Sequence, residues 1–297
     1  MKTFKNPIIS NSAKCNTSDP YVIFHNGIYY HCYGNKQGVY VSASEKLEDI
    51  GKARPKLVYG YAENGVKYFD WYAPELHLIN NVWYIYGSPD MGNGYHSMAV
   101  LQNENTDPTT PFINKGVIHG LENKWSLDGT VLEYCGKHYF IWSSGKELLI
   151  SELVTPLEIK DKGSVIGALE YDFEKANGEV MEGPAILRNN GNIFLVYSVN
   201  DSSTDDYCMG LMRLKGKDPL IKENWEKQIT PVFTKTEKVF GPGHCCFTKV
   251  LNGGTVEDYM LYHANLTSGT GWNGRSVWAQ EINYDKTGMP VFGKPSV

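Results

Sequence analysis

The sequence predicts an all-β fold, a five-bladed β-propeller with four-stranded antiparallel blades, and three observations predict it. A motif opens at Asp19 (DPYVIFHNGIYY), Ala73 (APELHLINNVWY), Asp128 (DGTVLEYCGKHY), Glu182 (EGPAILRNNGNIF) and His244 (HCCFTKVLNGGTVEDYMLY). Successive openings lie 54, 55, 54 and 62 residues apart, the mark of one supersecondary unit per period. Each copy also repeats one order of parts: a polar opener, a short apolar strand, an Asn- or Gly-rich turn and an aromatic strand.

The elements follow in that order. The turns read His25-Asn26-Gly27, Asn80-Asn81, Cys135-Gly136-Lys137, Asn189-Asn190-Gly191 and Asn252-Gly253-Gly254, the residues that tolerate the positive φ of tight hairpins. Behind them run Ile28-Tyr29-Tyr30, Val82 to Tyr86, His138 to Trp142, Ile193 to Tyr197 and Tyr259 to Tyr262, whose aromatic and β-branched side chains suit a pleated, half-buried surface. A third strand is legible at Val39–Ser42, Ser97–Leu101, Leu148–Ser151 and Met209–Met212. Five such units use nearly all of the chain, so residues 1–297 are expected to form a single domain.

Composition narrows the function. Hydrophobic residues make 41% and charged residues 21%, with 20 Tyr and 7 Trp, enough aromatic material for a β core and for surfaces that cover sugar rings. A net charge of −5 and the lack of a basic run argue against a nucleic-acid partner. No stretch of about 20 apolar residues is present to span a membrane, and the opening MKTFKNPIISNSAKCN lacks the apolar centre of a leader, so a soluble cytoplasmic protein is expected. The six cysteines show no CxxC spacing and are expected to be free thiols. Neither a G-x-S-x-G elbow nor a nucleotide-binding glycine motif occurs, which leaves nucleophilic-serine chemistry and nucleotide cofactors without support.

The openers carry the chemistry. The first strand of a propeller blade lines the central channel, so equivalent points of the repeats meet there. Asp19, Asp128, Glu182 and His244 open their repeats, and Glu75 stands two residues after Ala73, on the same face of a strand. Carboxylates gathered in a partly enclosed space raise one another's pKa. One carboxyl held protonated beside one held ionised is what glycoside hydrolysis uses, the first protonating the leaving oxygen and the second activating water or attacking the sugar. Trp71, Tyr72 and Trp125 flank these positions and are expected to form a sugar platform; Glu75 is expected to touch the sugar or pair with a cation.

The runs Ser18-Asp19-Pro20-Tyr21, WYAPELH (Trp71 to His77), WSLDGT (Trp125 to Thr130), EGPAIL (Glu182 to Leu187) and GPGH (Gly241 to His244) resemble glycoside hydrolase family 43. The resemblance extends from about Asn6 to Gly293. It implies a five-bladed propeller that hydrolyses arabinosides or xylosides of plant cell-wall polysaccharide with inversion. By that resemblance Asp19 is the general base, Glu182 the general acid and Asp128 the third carboxylate, which orients the acid and keeps it protonated. His244 matches a family histidine that helps hold a hydrated ion, commonly calcium, although the hydrolysis requires no cofactor. Arg275, in GWNGRSVWAQ, corresponds to an arginine that binds sugar hydroxyls, and Trp278 stands where some members carry a second arginine. The Cys245-Cys246 pair replaces small polar residues and is expected to pack beneath the channel.

WSLDGT, MEGPA, YHANL and the closing INYDKTGMPVFGKP look most like members acting on terminal α-L-arabinofuranosides. The expected partner is therefore an arabinose- or xylose-containing oligosaccharide. The alternatives are a β-xylosidase or endo-arabinanase of the same fold, and a non-catalytic carbohydrate-binding propeller.

Overall fold

A computed structural model describes residues 4–11, 17–61, 69–92 and 94–295. Five antiparallel sheets follow one another in chain order as the blades of a propeller. Blade I contains β1 (Tyr21–His25), β2 (Ile28–Asn35), β3 (Gly38–Ser44) and β4 (Lys56–Gly60), and blade II contains β5 (Phe69–Ile79), β6 (Val82–Asp90), β7 (Ala99–Asn103) and β8 (Ile113–Val117). Blade III is built from β9 (Leu127–Tyr134), β10 (Lys137–Ser143) and β11 (Glu147–Thr155). The short β12 (Glu158–Ile159) and the outer β13 (Ser164–Ala168) both pair with β11. Blade IV has β14 (Met181–Asn189), β15 (Asn192–Val199), β16 (Cys208–Leu214) and β17 (Trp225–Lys227). Blade V has three strands, β18 (Phe240–Asn252), β19 (Thr255–Asn265) and β20 (Ser276–Glu281), followed by the hairpin β21 (Asn283–Tyr284) and β22 (Pro290–Val291).

Blade V takes its fourth edge from the start of the chain. Ile9 and Val277 exchange backbone hydrogen bonds of 3.2 and 2.8 Å. Two residues further along β20, the Asn6 side chain accepts from the Ala279 amide at 2.9 Å and donates to its carbonyl at 3.0 Å. Residues that precede blade I in the chain thus pair with the last blade, which ties the two ends of the ring together.

Every inner hairpin turns on two residues of positive φ: Asn26 and Gly27 at 49° and 83°, Asn80 and Asn81 at 51° and 61°, Cys135 and Gly136 at 50° and 74°, Asn190 and Gly191 at 47° and 79°, and Gly253 and Gly254 at 56° and 90°. These are the two-residue loops whose twist matches the flanking strands, and they fix the register of each inner pair.

The apolar cores lie between blades. Val39 and Val41 of blade I meet Leu76, Trp83 and Ile85 of blade II, and Tyr84 and Tyr86 of blade II meet Phe140 and Trp142 of blade III. Blades III and IV share Ile141, Leu148, Leu195 and Met212; blades IV and V share Val196, Leu211, Met260 and Trp278. Leu261 and Val277 of blade V close on Val22 and Tyr29 of blade I. Apolar burial of this kind contributes about 1.5–3 kcal/mol per large side chain, so the fold draws its stability from the blade interfaces and leaves the axis free.

Cys32, Cys208, Cys245 and Cys246 are buried free thiols, Cys135 is a free thiol exposed in its hairpin, and Cys15 lies outside the described residues. Burial pushes the Cys246 thiol up to about 12, with the Val22 amide donating to its sulfur at 3.2 Å, so it packs under the channel as an inert group.

Blades I and II approach closely at Gly34, where a Cβ would stand 2.2 Å from the Trp71 carbonyl oxygen. Gly34→Ala is expected to cost about 1–3 kcal/mol, read as a lower urea midpoint at unchanged slope; an unmoved midpoint would show that the two blades slide apart freely.

Candidate active site

At the mouth of the channel the chain passes through the left-handed region in, or two residues before, the first strand of every blade, at Asp19 (φ 48°), Ala73 (41°), Asp128 (53°), Gly183 (57°) and His244 (45°). The structure thereby corrects the phase of the fourth repeat: the residue equivalent to Asp19 and Asp128 is Gly183, and Glu182 precedes it by one. A non-glycine residue held there costs roughly 1–2 kcal/mol, and side chains of the preceding blade offset that cost by taking the amide. Ser88 Oγ accepts from Asp128 N–H at 3.2 Å, Ser198 Oγ from His244 N–H at 2.8 Å, and His263 Nδ1 from Asp19 N–H at 3.2 Å. Gly183 needs to be glycine for a second reason, since a Cβ would sit 3.2 Å from the His244 ring.

These turns aim Asp19, Asp128, Glu182 and His244 into one cavity of about 790 Å³, which Tyr72, Ser202, Trp272 and Arg275 also line. His244 Nδ1 is 3.3 Å from Asp19 Oδ1 and 3.8 Å from Asp128 Oδ2. Arg275 Nη1 is 3.6 Å from Asp19 Oδ1, and its Nη2 donates to the Ser202 carbonyl at 3.0 Å. The Gly183 amide donates to Asp128 Oδ2 at 3.1 Å, and the Tyr207 hydroxyl to Glu182 Oε1 at 2.9 Å. His263 Nδ1 also lies 3.3 Å from Asp19 Oδ1. One nitrogen serves the amide or the carboxylate according to its tautomer, not both.

The three carboxyls are tuned apart. Burial raises Asp19, but the His244 and Arg275 charges outweigh it and hold this carboxyl far below the usual range. Burial, then the neighbouring Asp128 charge, pushes Glu182 up to about 8. Asp128 is raised by burial and by Asp19, against His244 and the Gly183 amide. Asp128 and Glu182 titrate as a pair. The His244 charge supports both, but Asp128 lies 3.8 Å from its Nδ1 and also accepts the Gly183 amide, whereas at Glu182 burial and the Asp128 charge outweigh His244 and the Tyr207 hydroxyl, so the shared proton belongs on Glu182. Burial disfavours the charged form of His244, yet Asp19, Asp128 and Glu182 raise it overall, while burial and Arg275 take His263 down to about 3 and keep it neutral.

Other expected residues divide. Tyr72 is 51% exposed on the cavity wall. Trp71 borders the cavity, but its side chain is buried in the core between blades I and II, 5.8 Å from Tyr59, so it offers no open face to a sugar. Trp125 is exposed and stands outside the cavity wall, packed edge-on to His96 at 5.6 Å. Glu75 points into the channel one layer below and pairs with His77 at 2.7 Å, which makes it a partner of an internal histidine and takes it out of reach of the cavity. Trp278 is fully buried between blades IV and V. Sequence reasoning missed Tyr207, His263, Ser202 and Trp272. His263 sits in the YHANL run and Trp272 in GWNGRSVWAQ beside Arg275, and pairing opposite Gly243 places His263 next to an opener; Tyr207 and Ser202 carry no such signal.

The ion implied near His244 meets a poor donor set. Its Nδ1 faces two carboxylates as a cation, and among the described residues no group of three or more His, Cys, Asp or Glu side chains converges to hold a metal. Calcium prefers six to eight oxygens, so these residues do not fit a directly ligated ion.

Comparison with known proteins agrees with this geometry. The profile of glycosyl hydrolases family 43 matches residues 4–290. The chain is 31% identical over 278 residues to the extracellular exo-α-(1→5)-L-arabinofuranosidase of Streptomyces chartreusis, covering 88% of this chain and 82% of that protein. It superimposes on the crystal structure of an α-L-arabinofuranosidase from Lactobacillus brevis with a TM-score of 0.88 at 28% identity, covering 99% and 97% of the two chains. A xylan β-1,4-xylosidase from Bacillus halodurans shares the fold alone, with a TM-score of 0.74 at 14% identity over 99% of this chain and 58% of that one. A family match across nearly the whole chain, on a propeller whose openers gather three carboxyls and a histidine, makes the protein a member of glycosyl hydrolase family 43.

Proposed function

We propose that this glycoside hydrolase releases terminal α-L-arabinofuranosyl residues from arabinan- or arabinoxylan-type oligosaccharides by an inverting acid–base mechanism. The observation that carries the chemistry is the opposite tuning of Asp19 and Glu182 within one cavity; the names of the two arabinofuranosidase relatives support the sugar. Glu182, protonated at neutral pH, gives its proton to the departing glycosidic oxygen. Asp19, ionised and held by Arg275, takes a proton from a water that attacks the anomeric carbon from the blade I side. Asp128 keeps the proton on Glu182 by its charge, and His244 balances the carboxylates without taking part in proton transfer. A β-xylosidase of the same fold is the competing reading, with a neighbour in fold alone. The cytoplasmic location expected from the sequence gains nothing from these relatives, one of which is named extracellular, and the described residues include no helix long and apolar enough to cross a membrane.

Hydrolysis of an aryl α-L-arabinofuranoside and an aryl β-D-xyloside, side by side with wild type and Asp19→Asn, tests the substrate and the base together. The arabinoside is expected to be cleaved faster, and the variant to lose about 10²–10⁴-fold on both; faster cleavage of the xyloside moves the enzyme to the competing reading. The first sugar released is expected to be the β-anomer by NMR, and an initial α-anomer would mean retention. Glu182→Gln should lose about 10²–10⁴-fold on oligosaccharides, whose leaving groups need a proton, and far less on an aryl glycoside with a good leaving group. Equal losses on the two substrates would take the acid role from Glu182.

The pH profile follows from the same assignments. Activity requires Glu182 protonated, so kcat/KM should fall as pH rises through about 8, while Asp19 stays ionised down to strongly acidic pH. Removing the charge of Asp128 favours the Glu182 anion, so Asp128→Asn should move the alkaline limb to lower pH; a limb that stays in place contradicts the coupling.

A further inference from the structure

We propose that Tyr72, Trp125 and Tyr95, bridged by His96, form an acceptor subsite that holds sugar rings of the leaving chain beyond the scissile bond. The inference rests on the glycosidase reading above and goes beyond it by assigning a binding surface outside the catalytic cavity.

Tyr72, Trp125 and Tyr95 are 51%, 40% and 38% exposed, large rings left open to water at one place on the surface. They form a continuous ridge. Tyr72 stacks on His96 with ring centres 4.4 Å apart, His96 meets the edge of Trp125 at 5.6 Å, and Trp125 meets Tyr95 at 5.8 Å. The ridge begins inside the catalytic cavity, whose wall includes Tyr72, and runs out of it, since Trp125 and Tyr95 are not part of that wall. A contiguous exposed aromatic patch joined to a site marks a surface that is covered when the site is occupied.

The ridge is built before any ligand arrives. His96 Nδ1 is 3.0 Å from the Ser88 carbonyl, the Ser126 amide donates to the His96 carbonyl at 3.2 Å, and the Met91 amide donates to the Tyr95 carbonyl at 2.7 Å. Ser88 is also the residue whose hydroxyl holds the Asp128 amide, so ridge and catalytic carboxyl are referenced to one residue. Rigid aromatic faces of this kind bind with little further loss of conformational freedom.

Position supports the same assignment. The terminal sugar belongs in the cavity that holds Asp19 and Glu182, and the ridge runs out of that cavity on the side of blades II and III, with Tyr72 on β5, Tyr95 on the β6–β7 connection and Trp125 on the connection that enters blade III. The occupant fitted by these rings is a neutral sugar, whose C–H face covers an aromatic face while its hydroxyls stay in water.

The test compares kcat/KM on α-(1→5)-L-arabinotriose with kcat/KM on α-L-arabinofuranosyl fluoride, which has no leaving ring, in wild type, Trp125→Ala, Trp125→Phe and Tyr95→Ala. The expected result is a five- to tenfold fall in the trisaccharide-to-fluoride ratio for Trp125→Ala, carried by KM. Tyr95→Ala should give a smaller fall, and Trp125→Phe should restore most of the ratio. A ratio unmoved in both alanine variants, with both substrates still turned over, overturns the subsite and leaves the glycosidase reading intact. A wild type inactive on fluoride and trisaccharide alike overturns the proposed function and the subsite with it.

Discussion

The site depends on the chain changing hand once in each of the five blades, at one level of the channel. A strand that simply alternates sends its side chains to the two faces of its own blade; a single residue of positive φ turns Asp19, Asp128 and His244 toward the axis instead, while Ala73 holds that position in blade II and Gly183, next to Glu182, in blade IV. That conformation is unfavourable for Asp19, Asp128 and His244, and it persists because each amide is taken by a side chain of the blade before it, His263, Ser88 and Ser198 respectively. The arrangement of the carboxyls is therefore a property of the closed ring. It matters most at the seam, where the Thr17 hydroxyl donates to the Arg275 carbonyl at 2.7 Å. Residues from the last blade there hold the first blade's aspartate.

Charge is divided unevenly over that frame, and the division decides the roles. Both cations that reach Asp19 come from blade V, His244 at 3.3 Å and Arg275 at 3.6 Å. At Glu182 low-dielectric surroundings and the negative charge of Asp128 outweigh the support of His244 and the Tyr207 hydroxyl. Two chemically similar carboxyls within one cavity thus become a permanent anion and an acid that keeps its proton to about pH 8, the separation that acid–base catalysis at neutral pH needs. Tyr207 itself stacks on His263 at 5.5 Å, so the residue that touches the acid packs against the residue that touches the base.

What the sequence showed and what it concealed follows the range of each interaction. The inner hairpins were legible because Asn and Gly at two adjacent positions are a local requirement of the turn. The opener positions were legible through the repeat, although the repeat aligned Glu182 with Asp19 when the backbone aligns Gly183; the eye follows the carboxyl, and the equivalence is in φ. Short outer strands such as β8 and β17, and the pairing of Ile9 with Val277, were not legible, because an edge strand is defined by its partner. Trp71 looked like a platform by its place beside an opener, and only the packing of blade I on blade II shows its ring covered. Ser202 and Trp272 touch the cavity, and the buried Tyr207 touches Glu182, from connections whose course the sequence does not specify.

The channel also explains why a polar site is tolerated at the centre of the molecule. Below the catalytic layer, Glu75 and His77 pair at 2.7 Å and the Tyr21 hydroxyl reaches His77 at 3.4 Å, a second polar layer where apolar residues would cost less to bury. A protein that relied on its axis for stability could not hold these groups. Here the apolar contacts are confined to the blade interfaces, each with its own cluster, so the axis contributes little cohesion and its composition is free to serve electrostatics. The Glu75 charge in that lower layer adds to the field that keeps His244 protonated, and His244 in turn holds Asp19 ionised. The tuning of the catalytic base therefore extends two layers deep along the axis, through residues that never meet the substrate.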